Sequence, residues 1–259
     1  MTIEHYLRRD YIANIVTEGR RVDGRAFDQY RPIEITKDYV KEKADGSAYV
    51  TLGNTKVLVG VSLDIGEPYP DSPESGILAT GTELRPIASP DFELGPPRED
   101  SIEIARVVDR GLRESGLIDL EKLFIEEDKV WAVFVDIHAL DYDGNLIDAS
   151  TLAAVTSLLN TKIPKIEDGK IVRGEWSGKL PTTCTPIACT LAKVTGKMLL
   201  DPTLDEEHAM DARLTVTTTD TVNAMQKGGM GTLTMEEVER SVDIAFEKAK
   251  ELRQMVESA

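Results

Sequence analysis

The chain has 259 residues, of which 41% are hydrophobic and 29% are charged. This length and composition predict a soluble globular protein with one large domain or two smaller ones, and they exclude a disordered chain. The formal net charge is −16, which opposes non-specific binding to nucleic acid because phosphate contacts need clustered lysine and arginine. A local basic surface or a basic partner remains compatible with that charge.

The N-terminal segment and the cysteines predict the cellular compartment. The N-terminus has no apolar run of the signal-peptide type, and no segment approaches the length of a membrane span. We therefore expect a cytoplasmic protein without a membrane span. The only cysteines, Cys184 and Cys189, lie in a β-rich segment, where their odd spacing places the thiols on opposite faces. Neither a disulfide nor a zinc site is expected from them.

The first half of the chain predicts a helix, a hairpin, a loop and a second helix. Residues 3–18 have an amphipathic helical pattern. Its apolar positions are Tyr6, Ile12, Ile15 and Val16. Two β-rich runs joined by Gly53 and Asn54 predict a hairpin. Residues 66–98 are rich in proline and predict a long loop, whereas residues 99–115 predict an amphipathic helix.

The second half predicts a buried strand, a helix, several strands and a final helix. The strand covers residues 130–140, and the next helix begins near Ser150 and is ended by Pro164. Residues 165–181 are polar and glycine-rich, which indicates a hairpin tip or a domain joint. Thr234 is the predicted N-cap of the last helix, and Glu237 completes a capping box.

The turn from the buried strand into the next helix, Asp141 to Ser150, is the most informative segment. Such a turn is a natural anion site, because the first helical N–H groups are unpaired and the helix dipole favours negative charge. This turn contains Asp141, Asp143 and Asp148 but no lysine or arginine. A phosphate bound here would therefore meet like charge.

Three arginines of the helix at residues 99–115 share one face, because Arg106, Arg110 and Arg113 lie at i, i+4 and i+7. They could form a row of phosphate-binding groups. They could equally form a salt-bridged surface, with Glu103 paired to Arg106 and Asp109 paired to Arg113. Spacing alone favours the salt-bridged surface.

An acidic segment precedes a predicted strand near residue 212, and its carboxylates are Asp205, Glu206, Glu207 and Asp211. A carboxylate at the start of a strand could bind Mg²⁺ or act as a general acid. A solvated acidic loop is the simpler interpretation, since most runs of charge only solvate the chain.

The histidines give no indication of a metal site. His5, His138 and His208 have none of the spacings that zinc ligands use. His138 alternates with apolar residues in the predicted strand, which indicates a buried histidine with its hydrogen bonds satisfied.

Six sequence motifs, in this order, resemble the ribonuclease PH family over nearly the whole chain. They are RVDGR (21–25), GSAYVTLGNTKVLVGVS (46–62), EIARVVDRGLR (103–113), DIHALDYDGNLIDAS (136–150), GKLP (178–181) and DPTLDEEHAMDARLTV (201–216). The resemblance implies an α+β, ribonuclease PH-like fold. This fold has a βαβα core, like domain 2 of ribosomal protein S5, and a smaller C-terminal α/β subdomain. The implied divisions are an N-terminal helix and arm (1–30), the core (31–180) and the C-terminal subdomain (181–259).

Active members of this family degrade RNA from its 3′ end by phosphorolysis. In them, the turn after the buried strand holds a glycine followed by Thr or Ser and an arginine, which bind the attacking phosphate. Here the turn reads Gly144, Asn145, Leu146 and Ile147, so the hydroxyl and the arginine are absent. Asp211 matches an aspartate that acts in active members as general acid or metal ligand, and Asp205 is close to it in sequence. The resemblance therefore implies that Asp205 and Asp211 are vestigial and that the chain has no catalytic residue, metal or cofactor of its own.

Within the family, the pattern most resembles the non-catalytic subunit of the archaeal exosome core. The implied partner is a catalytic ribonuclease PH-like sibling, and three such pairs form a hexameric ring. Cap proteins with S1 and KH domains, and single-stranded RNA, are the other implied partners. By this resemblance Arg106, Arg110 and Arg113 are RNA-binding candidates, with Arg113 the weakest.

Two alternatives stay open. The chain could be an active phosphate-dependent 3′–5′ exoribonuclease that uses Asp211, with Arg25 or Arg85 as the phosphate ligand. It could also be a metal-dependent hydrolase that uses the carboxylates between Asp201 and Asp211. Unordered spacing of those carboxylates makes the hydrolase the weaker alternative.

Overall fold

The computed structural model describes residues 3–41, 43–167 and 169–259, and the side chains of residues 3–7 lie outside that description. The prediction that Tyr6 is an apolar contact of the first helix therefore falls outside the described residues. Within them, no helix is both long and apolar enough to cross a membrane.

The chain folds into five helices and twelve strands within the described residues. The helices are α1 (Ile3–Thr17), α2 (Glu99–Glu114), α3 (Leu146–Asn160), α4 (Leu204–Ala209) and α5 (Met235–Ser258), with a short 3-10 helix at Leu120–Leu123. The strands are β1 (Ile33–Lys37), β2 (Gly46–Leu52), β3 (Thr55–Gly66), β4 (Ile77–Glu83), β5 (Phe124–Glu126), β6 (Lys129–Asp141), β7 (Lys162–Glu167), β8 (Lys170–Lys179), β9 (Ile187–Val194), β10 (Lys197–Leu200), β11 (Ala212–Thr218) and β12 (Val222–Gly228).

The larger sheet has the strand order β1-β2-β3-β6-β4, with β5 paired to β6. The predicted hairpin is confirmed as β2 and β3, which are antiparallel and joined at Gly53 and Asn54. Side chains of β3 alternate between buried and half-buried positions, so one face of the sheet meets the core. On the other face, His138 is half-exposed and its Nδ1 atom lies 3.5 Å from Glu83. The prediction of a buried histidine was therefore wrong.

The smaller sheet has the order β10-β9-β11-β12, and β7 and β8 form a separate hairpin. That hairpin confirms the hairpin interpretation of the polar stretch after residue 164. The capping box of α5 is confirmed, because Thr234 Oγ1 accepts from the Glu237 amide and Glu237 accepts from the Thr234 amide. Both cysteines are free, with Cys189 buried in β9.

The main core lies between the two sheets. Helix α3 packs against β2 and β3 of the larger sheet and against β9 of the smaller one, while α2 bridges β4 and β12. Every residue of α3 from Leu146 to Leu158 is buried, which explains why the helix is apolar on all sides. One hydrophobic cluster runs through both halves, and the boundary at residues 180 and 181 stays a prediction.

The single loop predicted at residues 66–98 and both predicted ends of α3 were wrong. Residues 66–98 are not one loop, because β4 lies within them and pairs in parallel with β6. Such pairing depends on a strand that is distant in sequence, which local sequence does not indicate. Helix α3 begins at Leu146 rather than near Ser150, and it ends at Asn160. Pro164 lies in β7 of the separate hairpin instead of ending a helix.

Candidate functional site

The turn from β6 into α3 is held in an unusual backbone conformation. Gly144 has a φ of 87° and Asn145 a φ of 56°, in the left-handed region that glycine and asparagine adopt most readily. A Cβ atom on Gly144 would lie 2.4 Å from the carbonyl carbon of Thr203. The glycine therefore allows the start of α4 to pack directly against the turn.

The two half-buried aspartates of the turn, Asp141 and Asp143, each have a partner outside it. Asp141 forms an ion pair of 2.9 Å with Lys56, and Asp143 accepts a hydrogen bond of 3.1 Å from Asn54. Arg31 lies 3.7 Å from the Asp143 carboxylate and also donates to the Asp143 carbonyl. The repulsion expected from the sequence is therefore reduced at these two positions.

The third aspartate, Asp148, lies in the first turn of α3 and is fully buried. Its carboxylate accepts from the Tyr30 hydroxyl at 2.8 Å, from Asn145 Nδ2 at 2.9 Å, and from the amide and hydroxyl of Thr190 at 2.9 and 2.7 Å. Burial raises the pKa of Asp148 to about 6, although these hydrogen bonds act in the opposite direction. Asp148 thus joins α3 to β9 and does not face a ligand.

A buried arginine–carboxylate network supports the turn from behind. Asp201 accepts from Arg31 Nη2 at 2.7 Å and from Arg25 Nη1 at 2.9 Å. Arg21 makes a bidentate pair with Glu206, at 2.9 and 2.6 Å. These arginines belong to the arginine-rich segment that follows α1. Their guanidinium groups are committed to the fold.

The two arginines considered as substitute phosphate ligands are also paired. Arg25 donates to Asp23 at 2.6 Å as well as to Asp201, and Arg85 is paired with Glu83. Neither side chain is available to a phosphate at the turn without breaking an existing ion pair.

The amide side of the turn is occupied by a carboxylate of the chain itself. Glu207 Oε1 accepts from the Asn145 amide at 2.8 Å, and its Oε2 accepts from the Tyr142 hydroxyl at 2.6 Å. Burial raises the pKa of Glu207, against the effect of these two hydrogen bonds. Burial and the charge of Glu207 also raise the pKa of Tyr142, so its hydroxyl stays protonated and donates.

A cleft of about 380 Å³ opens beside this carboxylate. Its acidic lining residues are Asp91, Asp100, Glu103 and Glu207, and Arg213 also lines it. Arg213 Nη2 donates to Glu103 at 2.7 Å. The described lining therefore carries more acidic than basic groups. Within the described residues, no cluster of side chains suited to a metal ion is found there or elsewhere.

The candidates Asp205 and Asp211 are oriented towards α1 instead of the cleft. Asp205 lies 3.3 Å from Arg8, and Asp211 lies 3.8 Å from Arg9. Glu207, two residues along α4 from Asp205, reaches the turn, as does Asp201, which accepts a hydrogen bond of 2.8 Å from Asn145 Nδ2. Sequence reasoning named the segment but did not distinguish Glu207, because orientation on a six-residue helix depends on its packing.

The arginine stripe, which consists of Arg106, Arg110 and Arg113 on one face of α2, has one of the two ion pairs expected of a salt-bridged surface. Arg113 pairs with Asp109 at 3.1 Å, as expected. Glu103 pairs with Arg213 instead of with Arg106. Arg106 and Arg110 are exposed, and no ion pair or hydrogen bond reaches either one within the part of the chain that the structure describes. Both line a groove of about 510 Å³ between α2 and β12.

Comparison with known proteins places this geometry in a family. The model for domain 1 of the 3′ exoribonuclease family, the ribonuclease PH family, matches residues 29–164, and the model for domain 2 matches residues 184–248. The chain belongs to the 3′ exoribonuclease family. The ribonuclease PH-like fold expected from the sequence is thereby confirmed.

Members of the 3′ exoribonuclease family with high similarity come from archaea. The exosome complex component Rrp42 of Thermococcus gammatolerans is 50% identical over 257 residues, covering 96% of this chain and 94% of the relative. A chain of the Archaeoglobus fulgidus exosome, with RNA bound to the active site, has 47% identity and a TM-score of 0.90, covering 98% of this chain and 99% of that one. A chain of an archaeal exosome core has 44% identity and a TM-score of 0.88, covering 98% of each.

Proposed function

We propose that the chain is a non-catalytic, cytoplasmic subunit of an archaeal exosome ring that degrades RNA from the 3′ end. It pairs with a catalytic ribonuclease PH-like sibling, and three pairs form the ring on which RNA-binding cap proteins sit. The relatives named as exosome components, at close to half identity over nearly the full chain, support the assembly.

The occupied amide side of the α3 turn is the observation that carries the non-catalytic assignment. Phosphorolysis requires inorganic phosphate to be held against an RNA phosphodiester, and both are anions, so the site must supply positive charge or oriented donors. Here the Asn145 amide already binds Glu207, and the nearby Arg25 and Arg31 are committed to Asp201. Among the described residues, no free cation lies at the place where phosphate would need one.

The contribution of the chain to RNA binding is assigned to Arg106 and Arg110. Exposed guanidinium groups one helical turn apart suit successive phosphates of a single strand, and the adjacent groove gives that strand a path. Arg113 contributes less, because it is paired with Asp109 and also donates to the Leu78 carbonyl at 2.9 Å.

An activity assay with and without the sibling tests this function. The purified chain alone should not shorten poly(A) in the presence of inorganic phosphate, whereas the mixture with the sibling should do so and should elute as a ring. Phosphate-dependent turnover by the chain alone would instead favour the active-exoribonuclease alternative. In that case, loss of turnover in Asp211→Asn would identify the general acid.

A further inference from the structure

The hairpin of β7 and β8 carries a basic and aromatic surface outside the candidate site. It forms a two-stranded sheet of its own, and most of β8 is exposed. Residues 162–179 contain five lysines or arginines against three acidic residues, in a chain whose net charge is −16. This segment therefore has the opposite sign of charge to the chain as a whole, and it attracts anionic partners.

Arg173 fixes the hairpin to the larger sheet. Its guanidinium group pairs with the buried Asp45 carboxylate at 3.0 Å and donates to the Leu63 carbonyl at 3.0 Å. The apolar side chains of the hairpin that pack against the main core are Ile163, Ile166 and Ile171. The hairpin is therefore anchored on its inner side, and its outer side is a fixed platform that faces solvent.

Trp176 lies on the exposed part of β8, opposite Pro164 of β7. Its relative exposure is 39%, whereas the only other tryptophan, Trp131, is 6% exposed. The Lys162 Nζ atom lies 5.8 Å from the centroid of the Trp176 ring. An accessible indole with an ammonium group beside it suits a nucleotide, because the base stacks on the ring and the phosphate meets the cation.

The lysine beside the indole faces a second lysine across the hairpin. Lys162 and Lys179 are directly opposite in the register of β7 and β8, and both are exposed. Within the part of the chain that the structure describes, no ion pair reaches either ammonium group. Like charges directly opposite each other destabilise a pair of strands, so these two lysines do not serve the stability of the hairpin. A bound anion would relieve their repulsion.

A single strand of RNA accounts for these features more completely than an acidic protein segment does. A carboxylate of a protein would use the two lysines and leave the indole uncovered. A duplex would offer phosphates but keep its bases within its own stack. A single strand presents both an unpaired base and adjacent phosphates, so it uses the indole and the lysines together.

We propose that Trp176, Lys162 and Lys179 form a second contact for single-stranded RNA, separate from the arginines of α2. A base stacks on Trp176, and the two lysines bind the neighbouring phosphates. This inference rests on the proposed function only in taking RNA as the strand that the chain encounters. Contact at the hairpin and at α2 together raises the affinity for a strand long enough to reach both.

Photocrosslinking tests the stacked base directly. Rings assembled with the sibling are irradiated with a long oligo(U) that contains 4-thiouridine, without inorganic phosphate so that the strand is not shortened. We expect a nucleotide adduct on the β8 peptide that contains Trp176. Trp176→Ala should lose this adduct and bind the strand at least about fivefold more weakly, whereas Trp176→Phe should retain most of both. Tyr69→Ala, at an aromatic residue that is 58% exposed, is the control and should match the native ring.

A lysine variant covers the case in which Trp176→Ala does not fold. Lys162→Glu with Lys179→Glu changes the charge of the surface and keeps the indole. It should lower the slope of log affinity against log salt by about 1.4, because each lost phosphate contact of a single strand contributes about 0.7. Lys197→Glu with Lys250→Glu makes the same change in charge on exposed lysines of β10 and α5. This control should leave the slope unchanged.

Two results would overturn the inference. The first is a native ring that gives no adduct at Trp176 and lysine variants that share one salt slope. The second is a loss of ring or cap assembly in the hairpin variants while the affinity of assembled rings for RNA is unchanged, which would identify the hairpin as a protein contact. Both results are separate from the proposed function, which fails if the chain alone degrades RNA or does not form a ring with the sibling.

Discussion

Gly144 occupies the closest approach between the turn and α4. Its φ of 87° is costly for any residue with a Cβ, and that Cβ would overlap the backbone of Thr203 and Leu204. We expect Gly144→Ala to lower the free energy of unfolding by about 2–4 kcal/mol, measured by urea denaturation. Gly60→Ala in β3 is the control, since its Cβ would meet nothing within 4 Å. Equal stability of the two variants would contradict the strain assigned to Gly144.

Asp148 makes stability depend on pH in a direction opposite to that of most carboxylates. Its pKa is about 6 in the folded chain and about 4 when unfolded. Between these values the native state still holds the proton that the unfolded state has released. The free energy of unfolding therefore falls as pH rises from about 4 to about 6, by about 3 kcal/mol for this group.

Comparison with Asp148→Asn isolates that contribution. The variant does not titrate at this position, so its stability relative to the native chain should improve by about 3 kcal/mol between about pH 4 and pH 7. Urea denaturation across this range measures the difference. Asp243→Asn on the exposed side of α5 is the control. A difference between native and Asp148→Asn that does not change with pH would show that folding does not raise the pKa of Asp148.

Helix α2 carries the arginines proposed to bind RNA, Arg106 and Arg110, and they can be tested as a unit. Arg106→Glu with Arg110→Glu should weaken RNA binding by the assembled ring without dissociating it. Removing one arginine–phosphate interaction should lower the slope of log affinity against log salt by about 0.7 for a single strand, so the double variant should lower it by about 1.4. Fluorescence anisotropy of a labelled oligo(A) at several salt concentrations measures that slope.

The charge-matched control lies on α5. Arg240→Glu with Lys250→Glu makes the same change in net charge on exposed positions of another helix. If this control lowers the salt slope as much as the α2 variant, the effect comes from total charge, and the simpler interpretation of the three α2 arginines as a salt-bridged surface is favoured over RNA binding.

Elements with local signals were predicted from the sequence, and elements fixed by distant contacts were not. The hairpin at Gly53, the amphipathic face of α2 and the capping box at Thr234 all depend on residues within a few positions. Strand β4 depends on pairing with β6, and the true start of α3 depends on burial between two sheets. The local conformational preferences of the sequence therefore predict neither β4 nor the start of α3.

The candidate site also combines features that the local sequence predicts with features that depend on distant contacts. The motifs located the turn from β6 into α3, the acidic segment and the arginines of α2, but three interactions could not be predicted from spacing. Glu103 pairs with Arg213 of β11 and not with Arg106. Glu207, and not Asp211, binds the turn through the Asn145 amide. Asp201 binds arginines of the N-terminal arm. The partners are 62 or more residues apart in the chain, so only the folded arrangement of α2, α4 and the arm reveals them.

At the scale of the whole molecule, the net charge of −16 limits what the chain can do alone. Arg106 and Arg110 are the proposed local contact, but an RNA strand approaching them would also meet the field of the acidic surface. We expect the isolated chain to bind oligo(A) no more tightly than about 10⁻⁴ M at physiological salt, the weak end of non-specific binding. The assembled ring, in which the sibling adds its own contacts, should bind more tightly by at least about tenfold.

Anisotropy titrations of the chain, the sibling and the ring at one salt concentration distinguish these cases. Lower ionic strength increases the range of both the attraction to Arg106 and Arg110 and the repulsion from the acidic surface. Because the acidic groups outnumber the basic ones, the isolated chain should gain less affinity on dilution of salt than the ring does. Micromolar binding by the isolated chain would contradict this expectation. It would mean that the groove beside α2 holds RNA without help from a partner.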